Sequence, residues 1–352
     1  MQAILGVLFH FIGGFASGSF YVPYKRVRKW AWESYWIIGG LFSWLIIPPI
    51  AAALTIPGFF TVIRATDATT LGWTYTWGVL WGIGGLTYGL GIRYLGMSLG
   101  NSVLLGLTAA LGALLPAIYY NYAPQPGKIS LSHMLHSSGG QWVLAGVAVC
   151  LAGIALCGLG GRRKEQAMEG RQPQKANAEF NLRKGLILAV VSGVLSACFN
   201  YGIEAGKPMA AAAVDIGHNP LFQNNVTYIV LLWGGLTTNF IWCLLLNLRN
   251  RTMGNYVDRS TPLLNNYIFS ALAGITWYLQ FFFYGMGESK LGNGASSWIL
   301  HMAFIILVSN GWGLFLKEWK GAPGAALRLF ISGLGAILLS VLLVAYGNSL
   351  GT

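Results

Sequence analysis

Ten apolar runs of about 20 residues constrain this chain more than any other feature. They lie at 2–22, 34–54, 73–92, 99–120, 141–159, 185–203, 226–248, 267–287, 296–316 and 325–346. Inside hydrocarbon a backbone N–H or C=O finds no water. A spanning segment must therefore close its own hydrogen bonds, which an α-helix does. The composition agrees: 55% of residues are hydrophobic and only 9% are charged. The mean hydropathy is +0.58. The expected fold class is an all-α integral membrane protein with ten transmembrane helices. Its 48 glycines suit such a bundle, because small residues let helix backbones approach closely.

The basic residues orient the chain. Loops after odd-numbered runs carry 18 of the 22 Lys and Arg residues, among them Lys25, Arg26, Arg28, Lys29, Arg162, Arg163 and Lys164. Loops after even-numbered runs carry the other four, Arg64, Lys128, Lys207 and Lys290. The positive-inside rule then puts the odd loops in the cytoplasm and both termini outside. The net charge of +12 is thus a topology signal spread over short loops. It does not form the single basic face that a nucleic-acid partner requires. No basic residue precedes the first run and four follow it, so that run reads as a retained span, not a leader.

The most charged segment, 161–184, divides the runs five and five. Because five is odd, two similar halves would be inserted in opposite senses. Shifting the first half by 192 positions matches Gly82-Ile83 with Gly274-Ile275, and Leu99-Gly100-Asn101 with Leu291-Gly292-Asn293. A shift of 179 matches Gly6, Gly14, Ser17 and Phe20 with Gly185, Gly193, Ser196 and Phe199. The expected organisation is a first five-helix repeat at 1–160, a cytoplasmic linker at 161–184 and a second, inverted repeat at 185–352.

Polar residues recur at helical spacing inside the runs. Trp277, Gln280, Tyr284 and Glu288 share one face, as do His10, Gly14, Ser17 and Tyr21. Gly193, Ser196, Asn200 and Glu204 form another face, Trp77, Trp81, Gly84 and Tyr88 a fourth, and Ser297 lies near His301. Polar and ionisable side chains are costly against lipid, so these faces are expected to converge on a shared cavity. Aromatic faces cover the C–H surface of a small polyhydroxy solute, while amides and imidazoles bond its hydroxyls. The candidate substrate contacts are His10, Trp81, Tyr88, Asn200, Trp277, Gln280, Tyr284 and His301. Glu204 and His301 are the candidates for carrying a proton. The bland alternatives are packing or interface roles for the aromatics, a Glu204–Lys207 pair, and a solvated turn around Glu288 and Lys290. The four cysteines fall inside runs without CxxC spacing and read as packing residues. No metal site, cofactor site or soluble-enzyme motif is expected.

Seven ordered segments are familiar: "PYKRVRKWAWE" at 23–33, "RYLGMSLG" at 93–100, "EFNLRKGLILAV" at 179–190, "GKPM" at 206–209, "WYLQFFFYGMG" at 277–287, "SWILHMAF" at 297–304 and "LKEW" at 316–319. Through them the chain resembles bacterial L-rhamnose–proton symporters, a ten-helix branch of the drug/metabolite transporter superfamily. The resemblance implies uptake of a deoxyhexose across the bacterial cytoplasmic (inner) membrane, driven by proton entry. It also implies two inverted five-helix repeats around a cavity lined by the first, third, fourth, sixth, eighth and ninth helices. Its partners would be L-rhamnose, protons and the lipid bilayer. Two places depart from the family pattern: Glu204 stands where an amide is usual, and "LGNGAS" replaces a more acidic, Tyr-containing stretch at 291–296. The rival expectations are a transporter of another small polar metabolite and a membrane sugar sensor without net flux.

Overall fold

The computed structural model describes residues 2–95, 97–124, 129–169, 182–292, 294–315 and 319–350. Residues 170–181, half of the expected linker, and the Asn293 end of the second "LGN" turn therefore lie outside the described residues. Ten long helical segments organise the rest. They are α1 Gln2–Ser19, α2 Trp32–Thr55, α3 Ala68–Leu95, α4 Met97–Tyr122, α5 Ser138–Glu169, α6 Leu182–Ala205, α7 Asn224–Asn250, α8 Leu263–Leu291, α9 Gly294–Phe315 and α10 Gly324–Ser349. No strand occurs among the described residues. Nine of these segments are long and apolar enough to cross a membrane, which makes this a multi-pass membrane protein. The remaining one, α3, has the length, but Gly, Trp, Tyr and Thr carry much of its sequence in place of aliphatic side chains.

The helices group into two compact units that do not follow chain order. The first comprises Met1–Gly14, Gly84–Ala197 and Lys290–Thr352, and the second Phe15–Ile83 and Cys198–Ser289. The unit boundaries fall within α1, α3 and α6 and near the end of α8.

In the first unit α5 packs along α10. Small residues repeat every seven positions on both helices: Gly139, Gly146, Gly153 and Gly160 on α5, and Ala326, Gly333, Ser340 and Gly347 on α10. A seven-residue repeat keeps one seam facing its partner over several turns. A methyl group added at Gly153 would meet the Gly333 carbonyl oxygen and Ile337, and one added at Gly160 would meet the Ala326 carbonyl oxygen and Phe330. The pairs 139/347, 153/333 and 160/326 run in opposite order, so the helices are antiparallel. Cys150 and Cys157 are buried, and the Cys157 thiol lies 3.6 Å from the Phe330 carbonyl oxygen. That placement gives both cysteines a packing environment on α5.

In the second unit α7 packs on α2, and polar side chains fasten the contact. Glu33 Oε1 accepts from Asn250 Nδ2 at 3.0 Å and from the Thr252 hydroxyl at 2.8 Å. Asn255 Oδ1 accepts from the Ala31 N–H at 2.9 Å, and the Ser34 hydroxyl lies 3.0 Å from the same oxygen. Asn266, on α8, grips one residue by both backbone groups, accepting from the Arg28 N–H and donating to its carbonyl. The next residue, Lys29, has φ +60°, a conformation that a non-glycine residue holds only when its surroundings enforce it. The Asn266 grip and the Asn255 bond to Ala31 fix the chain on either side of it.

Candidate functional site

In the first unit, α1 brings His10 and α9 brings His301 to a shared place. Both rings are buried, with centroids 5.9 Å apart and edge-to-face. The apolar surroundings follow from the sequence. Gly14 sits on Phe304, where a methyl group would strike the Phe304 side chain and backbone, and Phe11 meets Phe304 edge-on. Beside His301 on α9, Ser296 and Ser297 are buried, and the Trp298 indole N–H donates to the Thr108 carbonyl at 3.0 Å. Tyr88 is half-buried and packs against Leu104 and Ala189. The side chain of Asn101 lies outside the described residues.

In the second unit, the end of α6 and the middle of α8 bring Asn200 and Tyr284 together. The Tyr284 hydroxyl donates to Asn200 Oδ1 at 3.1 Å, and both side chains are buried. Gln280, one turn before Tyr284, is also buried. Trp81 packs against Phe199 and Phe281. Trp277 packs against Phe20, with ring centroids 4.0 Å apart. Trp44 meets both Trp81, at 6.3 Å, and Trp277, at 6.0 Å, edge-on. The second unit therefore holds an aromatic cluster with an amide–phenol pair beside it.

Among the charged groups, Glu288 differs from a solvated turn. Glu288 lies inside α8, because the helix continues to Leu291. Its Oε2 accepts from Asn224 Nδ2 at 3.0 Å. Glu204 and Lys207 form an ion pair of 2.6 Å at a partly exposed position, where such pairs contribute at most about 1 kcal/mol. His133 and His136 are exposed around the short helix Leu131–His136.

Sequence periodicity did not single out α2. Yet Ser43 and Trp44 are buried there, and the Trp36 indole N–H donates to Asn239 Oδ1 at 3.1 Å. The available signal was the pair Pro48-Pro49 within an otherwise helical run, which marks a disturbed helix and so unreliable face assignments.

Comparison with known proteins places this architecture. The family model described as L-rhamnose-proton symport protein (RhaT) matches residues 1–350. A relative named L-rhamnose-proton symporter from Yersinia pestis is 39% identical over 349 residues, covering 98% of each chain. Its namesake from Yersinia pseudotuberculosis shows the same identity and coverage. A third, from Cronobacter sakazakii, is 38% identical over 348 residues, or 97% of each chain. A crystal structure of a protein with 14% sequence identity shares the fold, with a TM-score of 0.51 over 95% of this chain and 98% of its own. With the family match running from the first residue to within two of the last, and relatives of nearly equal length on both sides of the alignment, this chain belongs to the L-rhamnose-proton symport protein family.

Proposed function

We propose that the chain carries L-rhamnose, or a closely related deoxy sugar, inward across the bacterial inner membrane together with protons, by alternating access. The observation that carries this reading is the near-complete match to relatives named for that activity, at 39% identity. The buried groups fit such a solute: imidazoles in the first unit, and indoles, an amide and a phenol in the second. His10, Trp81, Tyr88, Asn200, Trp277, Gln280, Tyr284 and His301 are the proposed sugar contacts. The decisive experiment is uptake of radiolabelled L-rhamnose into proteoliposomes with and without an imposed inward proton gradient. Gradient-dependent accumulation is expected. Binding without accumulation would favour a sensor, and accumulation of a different solute in preference would favour the other transporter reading.

Glu204 and His301 are the proposed proton carriers. His301→Gln and Glu204→Gln keep hydrogen bonding but remove the ordinary change of charge. In the variant of the true carrier, gradient-driven accumulation fails while sugar exchange at equal concentrations persists. Normal accumulation by both variants would remove both residues from coupling.

The proposed architecture is ten spans in two inverted repeats, 1–160 and 185–352, joined by a cytoplasmic linker at 161–184, with both termini outside. The pairing of helices supports it: α2 lies against α7 and α5 against α10, each five positions along in the series. The glycine contacts are reciprocal as well. Gly82 of α3 meets Gly235 of α7, and its repeat counterpart, Gly274 of α8, meets Gly39 of α2. A cysteine introduced near Thr352 should react with an impermeant reagent from outside, and one near Gln172 should not. The opposite pattern would overturn this topology.

A further inference from the structure

The second helix is interrupted in its middle. Leu41–Ile46 is a π-helical turn, and the following segment, Ile47–Thr55, carries Pro48 and Pro49 in its first turn. A proline inside a helix lacks the N–H, and its ring crowds the carbonyl four residues earlier, here those of Trp44 and Leu45. Widening the preceding turn accommodates both rings, and π turns of this kind are frequent at functional sites. The widened turn contains Ser43 and Trp44, which are 1% and 2% exposed.

Against this turn lies a crevice contained within the second unit. Ser43, Trp36 and Trp44 line it from α2, Trp277 from α8, and Tyr24 from the segment after α1. The crevice depends on glycine: a methyl group at Gly39 would strike the Tyr24 hydroxyl, and one at Gly40 the Trp44 ring. In this conformation the gap between the walls is too narrow to admit a water molecule, so only one edge of a sugar ring, entering as the indoles part, reaches these groups.

The polar groups identify the kind of ligand. Ser43 Oγ, Trp44 Nε1 and Trp277 Nε1 are buried without a hydrogen-bond partner. A buried donor left unpaired loses more than an ordinary hydrogen bond gains. Three such donors on the residues of one crevice call for a ligand that supplies acceptors. Trp36 differs, since its N–H already bonds Asn239, and it serves as a wall; its ring centroid lies 5.2 Å from that of Trp277. Indole faces cover C–H groups and indole N–H groups donate to oxygen, which together match an edge of a pyranose.

We propose that the π turn of α2 forms a subsite for one edge of the transported sugar, with Ser43 and Trp44 as specificity-determining contacts beside Trp277. This rests on the reading of the chain as a sugar carrier. The test is initial-rate L-rhamnose uptake by the reconstituted full chain, comparing wild type with Trp44→Phe and Ser43→Ala. Each variant removes one donor and should raise KM about fivefold to tenfold, the loss of one hydrogen bond. The maximal rate should stay within about twofold, and the melting temperature should not fall, because the deleted donor bonds nothing in the empty protein. Trp30→Phe is the control. It removes another buried indole N–H without a partner, on a residue outside the crevice, and should leave KM unchanged. Unchanged KM in both Trp44→Phe and Ser43→Ala, with wild-type uptake intact, overturns the subsite alone. Absence of L-rhamnose uptake by wild type overturns the carrier reading and the subsite with it. Should Trp44→Phe fail to fold, Ser43→Ala decides the matter by itself.

Discussion

The two units fasten their helices by different means. In the first, α5 and α10 meet through residues with almost no side chain, and contact is backbone against backbone. In the second, α2 is tied to α7 and its flanking turns by carboxylate, amide and hydroxyl groups, with Glu33, Asn255 and Asn266 each making more than one bond. Lipid offers no hydrophobic drive to bring helices together. What remains is close packing in one case and side-chain hydrogen bonding in the other. A close-packed seam has no tolerance for volume. A hydrogen-bonded clamp tolerates volume but not the loss of an acceptor.

The largest effect should come from the seam. Gly153→Leu inserts a branched side chain where a methyl group already meets Gly333 and Ile337. A destabilisation of about 3 kcal/mol or more is expected, the upper end for overpacking. Size-exclusion of detergent-solubilised protein checks it, and a monodisperse wild-type profile would show that the seam can open. Next is the clamp. Glu33→Ala leaves Asn250 Nδ2 without its acceptor and the Thr252 hydroxyl with Asn247 Oδ1 alone, and should cost about 1–3 kcal/mol. Thermal melting should fall by several degrees, on the order of ΔΔG over the unfolding entropy, and Glu33→Gln should recover part of the loss. A wild-type melting temperature for Glu33→Ala would mean that the clamp does not fasten α2.

Gln280→Ala sharpens the contrast inside the second unit, where polar groups are assigned both to fastening and to the solute. Loss of one sugar hydrogen bond should weaken binding by about 1 kcal/mol, or roughly fivefold, with expression and melting near wild type. Full affinity in a well-expressed protein would take Gln280 out of the site. The smallest effect concerns Asp67, the exposed cap of α3, whose Oδ1 accepts from the Thr70 N–H at 2.9 Å. That bond holds its carboxyl below the usual range. Because the folded value is depressed, the stabilisation is complete above the unfolded value and fades as pH falls through the folded one. Asp67→Ala should therefore lower the melting temperature slightly at neutral pH, and the difference from wild type should shrink under strongly acidic conditions. A difference independent of pH would assign the effect to something other than the carboxylate.

Much of this was legible in the chain because hydropathy reports on local structure. The apolar runs coincide with the long helices, and helical spacing singled out His10, Asn200, Gln280, Tyr284 and His301, all of which are buried. Helix ends were less legible. The apolar run ends at Gly287, with a solvated turn around Glu288 left open as an alternative to the helical face, but α8 runs on to Leu291, because nothing at Gly287 compels a helix to stop. Trp- and Gly-rich α3 has the length of a span but few aliphatic side chains. The clamp was not legible at all. Glu33 and Thr252 are 219 positions apart, and no periodicity connects residues that meet only after the fold is made. The seven-residue repeat of small residues on α5 and α10 was present in the sequence. Its meaning, however, depended on knowing that those two helices face each other.

The π turn in α2 has a consequence for genetics. An α-helix advances about 100° per residue, and a π turn takes in one residue more than an α turn. Beyond Ile46 the helix is therefore rotated by roughly that angle relative to an uninterrupted α-helix. A map of tolerated substitutions along Trp32–Thr55 should accordingly show two periodic patterns with a phase jump between them. A homologue that lost both prolines and one residue of Leu41–Ile46 could restore a single phase. Insertions and deletions in this helix would then be inherited together with its proline content, and a one-residue gap in an alignment at this point would record a change in helix type.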